Sequence, residues 1–371
     1  MEEKPRVLIL GGTGFIGRNL VHYLVSNNLT SKIRIVDKVM PPMAWLNKEH
    51  KESFSKVEFK HANLINSKAV EKVFEDEGGG FQFVINCAME TKYGQMESSE
   101  ISAVYKEGIL QLSMNCARAA AAHKCSRYIE ISSGQMFSSS KTAVKEDHKV
   151  EPWTNLAKHK RLVEVELETI PDLDYCIVRP AIHYGIGDRR GLTPRLIIGA
   201  VYKQIKEKMK MLWTGSLKMN TVHVYDVCRA ILHLCHHGNK GEIYHLVDKG
   251  DTTQGKISEL VSEVFDINHD YVGTAMSSLA KLNFKSVAED INEKHMMPWS
   301  EACQKDGIIN TPLNPYLDQE LLYDKHIHMD GTKIESTGFC YDRPSLTIDS
   351  LKEILDDYVE MGLFPPSLAR P

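Results

Sequence analysis

The apolar run RVLIL (6–10) leads straight into Gly11-Gly12-Thr13-Gly14-Phe15-Ile16-Gly17, and a helical pattern follows through Leu24. No other feature limits the fold as much. Gly11 permits a tight turn, Gly14 lets the backbone approach a ligand, and Gly17 lets the helix pack closely. The first N–H groups of a helix have no intrahelical partner, and the helix dipole makes that end positive. A strand, this turn and a helix in this order therefore form a seat for a pyrophosphate.

A dinucleotide site needs an acidic residue about 20 positions further on. Asp37 supplies it, at the end of the second β-rich run KIRIVD (32–37). Its carboxylate can accept hydrogen bonds from both ribose hydroxyls of NAD and repels the 2′-phosphate of NADP. Lys38 is adjacent and Arg34 is close, so NAD is favoured and NADP is the alternative.

Further strands are read at VEF (57–59), FVIN (83–86), RYIEIS (127–132) and DYCIVRP (174–180), with helices over about 101–123 and after Pro152. Apolar strands bounded by helices predict an α/β fold, a Rossmann doubly wound parallel sheet with both faces covered. TVHVYDV (221–227) and EIYHLV (242–247) are expected to return to that sheet. The reading is a Rossmann domain over 1–185 with 221–248. Insertions at 186–220 and 249–345 build a smaller C-terminal α/β lobe for the substrate, and 346–371 is a terminal helix and tail. In that helix Leu351, Ile354, Leu355 and Tyr358 share one face.

Composition excludes several classes. The 371 residues are 42% hydrophobic and 25% charged with a net charge of -4, and no basic block suggests nucleic acid. The eight cysteines form no C-x-x-C pair and mostly sit in apolar runs, as expected of reduced, buried thiols. MEEKPRVLILGG lacks the basic start of a targeting peptide, and no stretch reaches the roughly 18 apolar residues of a membrane span. The expected address is the cytoplasm. Sixteen histidines include His236-His237 and His326-Ile327-His328, but no metal-site spacing is present, and no metal is expected. Ser132 and Ser133 lie in no G-x-S-x-G elbow. Lys203, Lys206, Lys208 and Lys210 read as a solvated helix face.

The G-x-x-G-x-x-G spacing resembles the short-chain dehydrogenase/reductases, and in particular their extended branch, the NAD-dependent epimerase/dehydratase family. Other segments agree over about 1–250. Asn63-Leu64 resembles the family's pair against the adenine. Val84-Ile85-Asn86-Cys87-Ala88 resembles its fourth strand, with a small residue beside the cofactor. Ile131-Ser132-Ser133-Gly134-Gln135-Met136-Phe137, Val178-Arg179-Pro180-Ala181-Ile182-His183-Tyr184-Gly185 and Val222-His223-Val224-Tyr225-Asp226-Val227 are similar to three further family segments. The resemblance implies a cofactor site of Gly11, Thr13, Gly14, Phe15, Ile16, Gly17, Asp37, Lys38, Asn63, Leu64, Cys87, Ala88, Lys160 and Pro180. It also implies a nucleotide-sugar-like ligand, and it is compatible with a homodimer or a protein complex.

The family places Tyr and Lys four apart on one helix, so both share a face. The lysine and the nicotinamide charge lower the phenol's pKa, and the phenol exchanges a proton with the substrate hydroxyl. In Leu156-Ala157-Lys158-His159-Lys160-Arg161-Leu162-Val163-Glu164, Lys160 takes the lysine position and Leu156 the tyrosine position. Leucine has no proton to give. The family's N-x-x-G is also altered, with Tyr105 in the Asn position before Gly108. Ser133 and Lys160 remain. Tyr93, after the fourth strand, is the candidate surrogate acid, with Tyr105, Lys92, His159 and His183 as others. Two functions stay open. One is a dinucleotide-binding pseudoenzyme acting as scaffold, sensor or complex subunit. The other is a divergent oxidoreductase, epimerase or dehydratase acting on a nucleotide sugar or related metabolite.

Overall fold

In the computed structural model the described residues are 4–90 and 99–369, the side chains of 99–101 and 280 excepted. The strands in chain order are β1 (Arg6–Leu10), β2 (Lys32–Asp37), β3 (Glu58–His61), β4 (Phe83–Asn86), β5 (Arg127–Ile131) and β6 (Tyr175–Pro180). Shorter strands follow as β7 (Ile182–Tyr184), β8 (Met209–Met211), β9 (Thr221–His223), β10 (Ile243–Leu246) and β11 (His269–Tyr271). Seven of them make one sheet in the order β10-β6-β5-β4-β1-β2-β3, and each of its pairings is parallel.

Alternation along β1 shows why both faces need cover. Val7 and Ile9 pack into one core with Leu20 and Leu24 of α1 (Phe15–Ser26), while Leu8 and Leu10 pack into another. The second core gathers Val73 of the helix Ser67–Phe74, Ala120 of the helix Leu112–Ala122, and Val163 and Leu167 of the helix Asn155–Leu167. The chain winds outward in both directions from the β1–β4 pair. That is the topological switch point, and ligands of such sheets bind in the crevice beyond the carboxyl ends of its strands.

Three expectations need correction. TVHVYDV does not return to the sheet as a strand. Only Thr221–His223 is extended, it pairs with β7 outside the main sheet, and Val224–His237 is helix. The cause is local: His223 accepts the Tyr225 N–H as a helix cap, and Asp226 lies in the first helical turn. The stretch 249–345 does not belong wholly to the second lobe either. Ile327, Met329, Ile334 and Phe339 pack into the first core beside Val178 and Leu246. Lys203, Lys206, Lys208 and Lys210 do not share a helix face: the helix Thr193–Ile205 holds only Lys203, Lys206 turns left-handed with φ 56° just after it, and Lys210 lies in β8.

The second lobe has its own core, drawn from α2 (Thr193–Ile205), α3 (Gln254–Phe265), α4 (Phe284–Lys305) and α5 (Ile348–Glu360). On α5, Leu351, Ile354, Leu355 and Tyr358 are buried. All eight cysteines are free thiols, six buried, Cys87 half-buried and Cys340 exposed. Among the described residues no helix is long and apolar enough to cross a membrane, and no cluster of three or more His, Cys, Asp or Glu residues is placed to hold a metal ion.

Candidate functional site

A cavity of about 850 Å³ opens beyond the carboxyl ends of β1 and β4 and runs into the second lobe. Its first half is built on the glycine turn. Gly11 has φ +77°, and a Cβ there would lie 2.6 Å from the Ala88 backbone. A Cβ on Gly17 would lie 2.3 Å from the Gly11 carbonyl oxygen, so the helix closes tightly on the turn itself. Gly14 caps α1 without a side chain, which leaves the first amides of the helix facing outward.

Gly11, Thr13, Gly14, Phe15, Ile16, Asp37, Lys38, Asn63, Leu64, Cys87, Ala88, Lys160 and Pro180 all line this cavity, while Gly17 lies behind the turn. Asp37 joins the second strand to the turn, accepting the Thr13 N–H at 3.1 Å and the Val39 N–H at 3.0 Å. Lys38 is ion-paired with Glu90. Arg34 points away from the cavity and is held by Asp76 and Glu58, each at 2.9 Å. Burial pushes the Cys87 thiol up to about 12, so it stays protonated.

A basic group that the sequence did not flag lies beneath the turn. The Arg18 guanidinium donates to the carbonyls of Thr13, Ala44 and Trp45 at 2.6, 2.7 and 2.9 Å. Burial, with Arg189 nearby, lowers its pKa to about 10, and it still carries its charge at neutral pH. The sole sequence signal was a charged residue on the buried face of the first helix.

The other wall is the start of the helix Asn155–Leu167. Thr154 caps it by accepting the Ala157 N–H at 3.1 Å and donates to Gln135 Oε1 at 2.8 Å. Ser133 Oγ accepts the Gln135 N–H at 3.1 Å and still lines the cavity. Leu156 and Lys160 share one helix face toward the cavity. Leu156 is half-buried and packs into the core behind it.

The Lys160 ammonium is closed from behind. It donates to Glu130 Oε1 at 2.9 Å, and both side chains are buried. Glu130 also accepts from Ser113 Oγ at 3.0 Å, Asn86 Nδ2 at 2.8 Å and Tyr128 OH at 2.8 Å. Four donors match the four lone-pair sites of a carboxylate. Among the described residues no tyrosine hydroxyl hydrogen-bonds the Lys160 ammonium. A second buried carboxylate lies one turn along. Glu164 takes the Arg179 guanidinium in a two-point clamp at 2.8 and 2.7 Å and the Ser132 hydroxyl at 2.6 Å. Burial raises the Glu164 carboxyl, but Arg179 and the hydrogen bonds outweigh it and hold it below its ordinary value.

The proposed surrogate Tyr93, and Lys92, lie outside the described residues. Tyr105 is buried in the cavity wall and stacks on His159 at 5.5 Å. His183 stacks on Phe15 at 5.5 Å, and burial lowers its pKa.

Comparison with known proteins adds three findings. The profile of the NAD dependent epimerase/dehydratase family matches residues 7–246. A dTDP-glucose 4,6-dehydratase of Streptomyces niveus is 23% identical over 267 residues, covering 69% of this chain and 76% of the relative. The solved structures that share the fold include two epimerases. The UDP-glucose 4-epimerase of Thermus thermophilus in complex with NAD has a TM-score of 0.67 at 16% identity, covering 95% of this chain and 99% of that one. The UDP-N-acetylglucosamine 4-epimerase of Methanobrevibacter ruminantium, in complex with UDP-N-acetylmuramic acid, has a TM-score of 0.69 at 16% identity, covering 97% and 99%.

Proposed function

The chain belongs to the NAD dependent epimerase/dehydratase family, and on that premise we propose that it binds NAD, turns over little, and serves as a scaffold, sensor or complex subunit. Binding is supported by the outward amides at the start of α1 and by the Arg18 charge beneath them. NAD is favoured over NADP because Asp37 faces the cavity while the Lys38 and Arg34 charges are taken up by Glu90, Asp76 and Glu58. When bound, NAD would supply a hydride acceptor.

One observation carries the loss of chemistry. Leu156 takes the position that the family pattern gives to a proton donor, and the Lys160 ammonium on the same helix face is paired with Glu130. A missing general acid costs about 10² to 10⁴ in rate. Glu130 adds to that, because a carboxylate paired with the ammonium opposes its pull on a phenolate beside it.

The test has two parts. Purified protein should bind NAD saturably by fluorescence titration, and with UDP-glucose or dTDP-glucose present it should form neither reduced nicotinamide nor epimerised product. Turnover of either sugar nucleotide at ordinary enzyme rates would refute the impairment.

The second reading is a divergent enzyme with a relocated acid. It draws on Ser133 and Lys160, which both still line the cavity. On that reading Tyr93→Phe abolishes an activity that the wild type has; an unchanged activity would remove Tyr93 from consideration.

A further inference from the structure

The half of the cavity inside the second lobe is a separate chemical environment. Its wall is apolar, with Met209, Met211, Trp213, Leu217, Met219 and Ile198 among its residues. The Trp213 Nε1–H is satisfied internally by the Leu322 carbonyl at 2.9 Å, so the indole presents no free donor. A sugar ring or a uracil needs several hydrogen-bonding partners, and a wall of thioethers and hydrocarbons supplies none.

Gln254, Lys210, Asp318, Glu320 and Lys325 also line this cavity, and two further polar groups stand out by the partners they have or lack. Arg195, on α2, donates to Gln254 Oε1 at 3.2 Å, and Gln254 is itself anchored by donating to the carbonyls of Leu212 and Thr214 at 2.9 and 3.1 Å. Among the described residues no carboxylate lies within ion-pair distance of Arg195. The guanidinium is thus oriented and left without a counter-charge, although burial makes its charge costly. The second group is His295 of α4, at 2% exposure, with neither ring nitrogen hydrogen-bonded among the described residues. Buried polar atoms are normally paired, so this ring is short of a partner. It packs edge-on against Tyr202, with ring centroids 5.5 Å apart.

The spacing follows from helix geometry. Arg195, Ile198 and Tyr202 fall on one face of α2, and seven residues of helix span ~10.5 Å. An anion seat and an uncharged hydrogen-bonding seat are thus separated by about two helical turns of apolar wall.

We propose that this compartment binds an amphipathic monocarboxylate: the carboxylate on Arg195, an apolar body along Ile198, Met211 and Trp213, and a hydroxyl or keto group near His295. The cavity residues fix both ends. Burial lowers the His295 pKa to about 4, so at neutral pH its imidazole is uncharged and offers one donor and one acceptor, which suits a hydroxyl. Exposed Arg189, Arg190, Lys210 and Lys325 also line the cavity and would draw an anion toward it. The proposal names the ligand class of the cavity that the NAD reading places beside the cofactor, but the residues involved are not those of the dinucleotide half.

The test is calorimetric titration of the full chain, with and without NAD, using omega-hydroxydecanoate, decanoate, decanol and UDP-glucose as probes. The hydroxy acid should bind tightest, decanoate several-fold weaker, and decanol and UDP-glucose at least tenfold weaker than decanoate. Arg195→Gln should weaken both acids at least tenfold and leave decanol unchanged. His295→Phe should remove the advantage of the hydroxy acid over decanoate. Neither variant should change NAD affinity, measured separately. UDP-glucose binding tighter than either acid, or acids indifferent to Arg195→Gln, would overturn the proposal. A protein that ignores NAD yet binds the acids would refute the cofactor reading alone.

Discussion

The glycine turn and the start of the helix Asn155–Leu167 face each other across one cavity and treat their polar groups in opposite ways. The turn leaves its amides outward and places the Arg18 charge behind them, so its polarity is offered to a ligand. The helix start turns its charge inward: Lys160 is closed on Glu130, and a hydrocarbon, Leu156, faces the cavity beside it. On the proposed reading, binding and proton transfer are separable in this fold. Backbone geometry carries the first and a few side chains carry the second, so the second can be lost while the first is kept.

The difference predicts where substitutions hurt. The largest effect belongs to Glu130→Ala, which strands a buried ammonium and removes the acceptor of three further donors. It should cost about 3–5 kcal/mol in denaturant unfolding. Lys160→Met should cost less, about 1–3 kcal/mol, because Glu130 keeps three neutral donors. Equal costs would mean that the cluster is not organised around the carboxylate.

Glu164→Gln breaks the clamp on Arg179 and should also cost about 3 kcal/mol at neutral pH. Here pH sharpens the contrast. The folded-state pKa of Glu164 is lowered, so its contribution is complete above the ordinary carboxylate range and is lost as pH falls through the folded value. The stability gap between wild type and variant should therefore narrow on acidification. A gap that stays constant to low pH would show that Glu164 is not held as a carboxylate.

Gly11→Ala acts on the other wall. It forces φ +77° on a side chain and brings a Cβ to 2.6 Å from Ala88. The expected cost is about 1–3 kcal/mol, with at least a tenfold loss of NAD affinity and no change in the Lys160 cluster. The smallest effect is that of Lys38→Ala. Its exposed ion pair with Glu90 should be worth less than about 1 kcal/mol, and NAD affinity should not fall. A marked fall would show that Lys38, rather than Asp37, reads the ribose.

Much of the dinucleotide wall was legible in the sequence because its signals are local. Strand, glycine spacing and an acid at the end of the next strand are all read from neighbours in the chain. The opposite wall depends on distant pairs. Glu130 sits within RYIEI, where alternation marks a strand and says nothing of a partner 30 residues away. An acid inside a parallel strand buried on both faces was itself a signal, since such a charge must be paired. Arg195 and His295 were invisible for a similar reason: α2 and α4 meet only in the folded chain. TVHVYDV misled because apolar–polar alternation in a short run competes with capping chemistry, and His223 with Asp226 decided for helix.

The closure of Lys160 can be measured without knowing any substrate. In the NAD-free protein, Leu156→Tyr introduces one phenol four residues before Lys160, and ultraviolet difference titration against wild type reads its ionisation. With the ammonium held by Glu130, that phenol should titrate at or above its ordinary pKa of about 10. A midpoint lowered to near 7 would show the Lys160 charge free to act on its neighbour, and would contradict the separation of binding from chemistry.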